Sequence, residues 1–184
     1  MIGSLPNSLN VGGIDYEINS DYRICLLIFE AFEDPDLNDF EKQVVAVKCL
    51  YKEEIPSKDF AEAVEKAYWF LDGGDMPKSK PQARKTLDWK QDESIIFPAL
   101  NKVAGYEIRA VEYLHWWSFL GLFNEVGEGL FSTVMQIRHK KAKGKKLEKY
   151  EQEFYRNNKD LIDLKHKYSA EQQEEIDRIN KLLG

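Results

Sequence analysis

Only two of the 184 residues are cysteine, and no stretch of the chain is continuously apolar for long. Two cysteines cannot build a disulfide framework. Cys25 and Cys49 each fall inside an apolar helical pattern, so both are expected as reduced, packed residues. No basic start leads into an apolar stretch and a cleavage site, so no signal peptide is expected. The longest apolar run is far short of the ~20 residues a bilayer span needs. A soluble, cytoplasmic protein is the expectation.

Chemical motifs are equally scarce. His115, His139 and His166 stand far apart, with no pair at helical i, i+4 spacing and no cysteine pair beside them, so no local zinc set exists. The run Asp34-Pro-Asp36-Leu-Asn38-Asp39 resembles the start of a calcium loop. That loop needs glycine at its sixth position and a bidentate glutamate at its twelfth, and Asp39 and Val45 stand there instead. Gly127-Glu-Gly129 lacks the third glycine and preceding strand of a dinucleotide fingerprint, and Gly144-Lys145-Lys146 lacks the rest of a phosphate loop. No serine or cysteine pairs with a base by motif. The expectation is no enzyme, no cofactor and no metal.

What is present is hydrophobic, aromatic and helical. Hydrophobic residues make up 43% and aromatics 12%, enough for a buried core in one domain. Charged residues reach 32%, which fits long helices with solvated faces, and the net charge of −6 disfavours the whole surface as a nucleic-acid binder. Residues 9–18 read as a hairpin: Gly12-Gly13 forms a two-residue turn, and Ile14, Tyr16 and Ile18 then alternate with polar residues. Everything after it reads as helix.

Asn19-Ser-Asp21 caps a first helix to about residue 33, and Asp34-Pro35 ends it. Asn38 and Glu41 form a capping box for a second helix to about residue 51. Pro56-Ser57 opens a third over 58–71, stopped by Gly73-Gly74. Residues 75–85, with two prolines and a local positive charge, read as a surface linker. Asp88 is expected to cap a fourth helix, with a kink or break near Ile95 caused by Pro98, closed by Gly105. A tryptophan-rich helix follows and ends at Gly127-Glu128-Gly129, and a further one holds Leu130, Phe131, Val134, Met135 and Ile137. Ser169 and Gln172 cap the last helix, to Leu183.

Two segments carry the candidate partner-binding residues. Residues 112–123 gather Tyr113, Trp116, Trp117, Phe119 and Phe123 around His115, with almost no polar face. Such a helix is either core or an interface anchor, since tryptophan and tyrosine serve both. From Arg138, a basic tract includes Lys140, Lys141 and Lys145, and a thin apolar stripe of Tyr150, Phe154, Leu161 and Leu164 follows. That tract is either a solvated helix end or a site for an acidic partner, and Glu151 and Glu153 weaken the nucleic-acid case. The stripe is narrower than a globular helix needs, so this end is expected to project or to pair with another chain.

Several runs carry a family resemblance over nearly the whole chain. They are Leu5-Pro-Asn-Ser8 leading into Val11-Gly-Gly-Ile-Asp-Tyr-Glu-Ile18, then Asn19-Ser-Asp-Tyr-Arg23, and Asp88-Trp-Lys-Gln-Asp92. Tyr106 and Glu112-Tyr-Leu-His-Trp-Trp-Ser-Phe119 complete the set, the last being the most specific. The chain resembles a family of siphophage proteins from Gram-positive hosts, known after gene product fifteen of a Listeria phage and encoded just ahead of the tape-measure gene. Pro98 departs from the smoother helix expected there. The resemblance implies a non-enzymatic tail-morphogenesis role in the bacterial host cytoplasm, as a tail assembly chaperone for the tape-measure protein. It brings no catalytic residues. A structural tail component retained in the virion, or a nucleic-acid-binding regulator using the basic tract, are the alternatives, and a homo-oligomer is compatible with each. The expected architecture is mainly α: a multi-helix bundle with a small N-terminal β-hairpin (residues 1–137) and a charged helical C-terminal extension (138–184).

Overall fold

The Gly12-Gly13 turn adopts φ of +59° and +83°, a pair that residues with a Cβ rarely take and that matches the twist of a tight hairpin. It joins β1 (Ser8–Val11) to β2 (Ile14–Glu17), antiparallel, with Leu9 opposite Tyr16 and Val11 opposite Ile14. Leu9, Val11 and Tyr16 point into the core, while Ser8, Asn10 and Asp15 face out. A computed structural model describes residues 3–75 and 85–183; the expected linker, apart from its two ends, lies outside the described residues.

The mainly helical architecture is as the periodicity indicates: among the described residues, all regular structure beyond the hairpin is helical. Helix α1 (Tyr22–Phe32) begins where the Asp21 carboxylate accepts the Arg23 backbone N–H. Helix α2 (Asp39–Leu50) opens on the full Asn38/Glu41 capping box. A 3-10 turn over Ser57–Asp59 leads into α3 (Phe60–Leu71). Helix α4 spans Glu93–Ala104, α5 Trp116–Asn124 and α6 Leu130–Ala142. Then come α7 (Lys149–Asn157), the short α8 (Lys159–Ile162) and α9 (Ala170–Leu183), whose Ser169/Gln172 capping box is formed in both directions.

Helix α1 packs against α2 on one side and α5 on the other, α3 carries the hairpin, and α4 lies against α5 and α6. The centre is aromatic. Tyr22 stacks on Phe119 with centroids 4.8 Å apart and rings nearly parallel, and Phe119 stacks on Trp116 at 5.4 Å. Phe29 and Trp89 close the cluster. Rings of this kind bury roughly 150–250 Å² each, so at ~25 cal/mol/Å² each contributes about 4–6 kcal/mol before the entropy of ordering is subtracted.

Three helix readings differ from expectation, each for a local reason. Asp88 does not cap α4. Its Oδ1 accepts the backbone N–H groups of Lys90 and Gln91, making a separate turn, and the helix starts four residues later. Pro98 neither breaks nor ends that helix. Pro98 and Ser94, whose carbonyl loses its intrahelical donor, are both exposed, so water can satisfy what the proline leaves free. Helix α5 begins at Trp116, because His115 is its N-cap, with Nδ1 accepting the Trp117 N–H at 3.0 Å. Helix α6 runs unbroken from Leu130 to Ala142.

Candidate partner-binding surfaces

The runs that carry the family resemblance meet in space although they are distant in sequence. Trp116 N–H donates to the Ser20 carbonyl, and Tyr22 N–H to the Leu114 carbonyl, so residues 19–23 and 112–117 form a short ladder. His115 Nε2 lies 3.0 Å from the Pro6 carbonyl, which ties the N-terminal run to the same seam. Ser20 Oγ contacts both Asn7 Oδ1 (3.2 Å) and the Tyr113 hydroxyl (2.7 Å). Asp21 accepts from Leu114 N–H as well as from Arg23, whose guanidinium also reaches the Val111 carbonyl. Satisfying so many backbone groups with side chains fixes how the entry to α5 crosses α1.

The fourth run, Asp88-Trp-Lys-Gln-Asp92, is a hub for the C-terminal segment. Asp92 and Arg138 are both buried and pair bidentately, at 2.5 and 2.8 Å. The same guanidinium donates to the carbonyls of Thr86, Leu161 and Ile162. Gln91 takes the Lys165 N–H and donates to the Asp163 carbonyl, so one side chain clamps the chain on both sides of Leu164. Burial alone would raise the Asp88 carboxyl, but the Gln91 backbone N–H and Lys85 hold it well below its usual range. Ile162 joins the main core. Residues 158–165 are therefore tied to the helical core by Arg138 and Gln91 as well as by the burial of Ile162.

The sequence-predicted partner residues separate into three environments. Trp116 is fully buried, with Nε1 donating to the Leu71 carbonyl at 2.8 Å, so it is a core residue of this fold. Trp117 is half-buried: its Nε1 reaches the Phe70 carbonyl, and its ring sits where a Cβ on Gly74 would come within 3.0 Å. Tyr113 and Tyr150 are exposed, and Phe154 packs on the core. Lys140 is bound by both oxygens of the buried Glu151, at 2.7 and 2.8 Å, and these bonds hold the Glu151 carboxyl below its usual range. Lys141 pairs with Asp163 and lies over the Tyr155 ring at 3.8 Å. Lys145 is exposed, with no ion pair among the described residues. Of the seven basic residues over 138–149, Arg138, Lys140 and Lys141 are thus paired with acids of the same chain, while Lys143, Lys145, Lys146 and Lys149 stay exposed. The acids responsible were visible as Glu151 and Asp163, but their facing the lysines depends on how α7 and α8 fold back on α6.

One surface was not anticipated. Between α4 and the loop into α6 runs an open, largely apolar groove of about 460 Å³. Ile95, Pro98, Ala99 and Val103 line one wall, and Val126 and Leu130 the other. Leu130 is half exposed at its rim. Lys102 Nζ reaches the Glu128 carbonyl, and Ser132 Oγ donates to the Gly127 carbonyl, so the loop is pinned from both ends. The sequence signal was the glycine loop flanked by Val126 and Leu130, together with a proline exposed on a helix. Among the described residues no helix is long and apolar enough to cross a membrane, and no group of His, Cys, Asp or Glu is placed to hold a metal ion.

Comparison with known proteins bears on what these surfaces serve. No curated protein and no solved structure matches the chain. The family model described as bacteriophage Gp15 protein matches residues 1–164, which include the hairpin, the Ser20–Tyr113 seam and the Asp92–Arg138 hub, and the chain belongs to that phage family.

Proposed function

We propose that this phage protein is a non-enzymatic tail-morphogenesis factor: a tail assembly chaperone that binds the tape-measure protein in the host cytoplasm. Family membership supports a phage role, and the observation that carries the binding mode is the apolar groove between α4 and residues 126–131. A tape-measure protein presents long amphipathic helices. A chaperone for such helices needs an apolar cleft that accepts side chains spaced i, i+3/i+4 and i+7. The groove is short and open, which suits a client that must later be released. The pairing of Arg138, Lys140 and Lys141 with acids of the same chain speaks less for a nucleic-acid regulator than the sequence did.

The test is co-expression of the tagged chain with tape-measure fragments of the same phage. Capture of a helical fragment is expected, reduced at least tenfold by Ala99→Glu or Leu130→Asp, with the thermal melt of each variant unchanged. Capture indifferent to both substitutions would overturn the groove assignment. Recovery of the protein in stoichiometric amounts from purified virions would instead identify it as a retained tail component.

A further inference from the structure

Pro98 is the unusual residue of the α4 groove. A proline inside a helix removes one hydrogen bond and crowds the preceding turn, and this one sits on an exposed face. Its missing N–H leaves the Ser94 carbonyl without an intrahelical donor. Ser94 and Pro98 stand one turn apart on the same side of α4, and both line the groove. A backbone acceptor therefore opens on an otherwise apolar wall. From Ser94 to Lys102 that wall is about 12 Å long, two helical turns. Over that length a docked helix presents side chains at i, i+3/i+4 and i+7.

The polar groups around the groove are unevenly matched. Glu125 and Glu128 line its loop side, both exposed and neither in an ion pair among the described residues. Lys102, the cation of the described lining, has its Nζ 3.4 Å from the Glu128 carbonyl. Acceptors and negative charge thus outnumber donors. A helix with carboxylates beside its apolar stripe would be repelled by the two acids. One with lysine or arginine there can lay its apolar stems along Pro98 and Leu130 and bring the charged heads to acceptors that have no other partner. We propose that the groove selects an amphipathic helix carrying lysine or arginine beside its apolar stripe, with the free Ser94 carbonyl as hydrogen-bond acceptor and Glu125 and Glu128 as the charge complement. This rests on the reading of the groove as the site of a helical client, and adds which helices it takes.

Two synthetic helical peptides with the same leucine stripe, one flanked by lysine and one by glutamate, test this by fluorescence anisotropy against the full chain. The lysine peptide is expected to bind about tenfold more tightly, with a gap that narrows as salt rises. Pro98→Leu keeps an apolar side chain in the groove but returns an N–H to the Ser94 carbonyl. It should therefore raise the thermal melt while weakening the lysine peptide about threefold. Glu125→Gln with Glu128→Gln should narrow the gap between the peptides about threefold and leave the melt unchanged. A lysine peptide that binds Pro98→Leu as tightly as the original chain overturns the proposal, as does a gap unmoved by the two glutamines. Equal binding of the two peptides also overturns it, and leaves the groove a site for any amphipathic helix with the chaperone reading intact. Binding of neither peptide overturns this proposal and the groove assignment together.

Discussion

Replacing Arg138 by methionine is the sharpest probe of how this fold is held together. The guanidinium makes five hydrogen bonds: two to Asp92 and one each to the carbonyls of Thr86, Leu161 and Ile162. Methionine fills much of the volume but leaves a buried carboxylate whose remaining donor is the Asp88 N–H, and three carbonyls without their partner. Breaking one side of a buried ion pair costs about 3–5 kcal/mol. That is a large share of the roughly 5–15 kcal/mol by which a domain is stable. For a chain of this length it corresponds to a fall in Tm of about 6–20 °C. Urea and thermal unfolding followed by tryptophan fluorescence and far-UV dichroism would measure it. The companion Asp92→Leu/Arg138→Met should recover much of the loss, because an apolar pair of similar volume removes the stranded charge. If Arg138→Met alone cost less than about 1 kcal/mol, or the double variant were worse than the sum of the singles, the account of this hub would be wrong.

Three further outcomes follow from the same geometry. Trp116→Ala should cost about 3–5 kcal/mol, since it removes a fully buried ring and the donor to the Leu71 carbonyl, whereas Tyr113→Phe should stay within about 1 kcal/mol in the same melts. Gly74→Ala should destabilise by more than about 1 kcal/mol, because φ there is +94° and the new methyl would meet the Trp117 ring. Asp88, Glu151 and Asp163 all have carboxyls depressed in the fold, Glu151 chiefly through Lys140, and Asp88 and Asp163 through partners that outweigh burial. Their contribution is therefore complete above the ordinary values of 3.8 and 4.5 and is lost as pH falls below them. Hydrogen exchange at pH 3 against pH 6 should show residues 149–165 loosening first.

Local signals in the chain were reliable wherever a few neighbouring residues settle the outcome. The Gly12-Gly13 turn, the Asn38/Glu41 and Ser169/Gln172 boxes and the Gly105 stop depend on backbone conformation and short-range hydrogen bonds, and all stand as read. His115 and Asp88 were harder. A histidine among aromatics looks like core, and nothing local says that its Nδ1 will cap a helix while Nε2 reaches back to Pro6. An aspartate ahead of a tryptophan looks like a cap, but Asp88 spends its Oδ1 on a separate turn with the Lys90 and Gln91 N–H groups, and the helix waits four residues. The partner surfaces were least legible. Whether a tryptophan faces in or out, and whether a lysine meets an acid or solvent, depends on packing between elements far apart in sequence.

That division bears on where the protein meets other molecules. Of the residues by which the family resemblance is recognised, Ser20, Asp88, Asp92, His115 and Trp116 are buried with side-chain polar atoms committed to other parts of the chain, and Tyr22 is buried with its ring stacked on Phe119. Such residues specify how the segments cross. They cannot also grip a partner without giving up those bonds, at about 1–3 kcal/mol for each buried group left unmet. On the proposed reading, partner contact is expected instead at exposed side chains, Pro98 and Leu130 around the α4 groove and, within the motifs, Tyr106 and Tyr113. The buried motif residues therefore set a frame, and Leu130→Asp in the groove should reduce capture of a partner helix while leaving the melt of that frame unchanged.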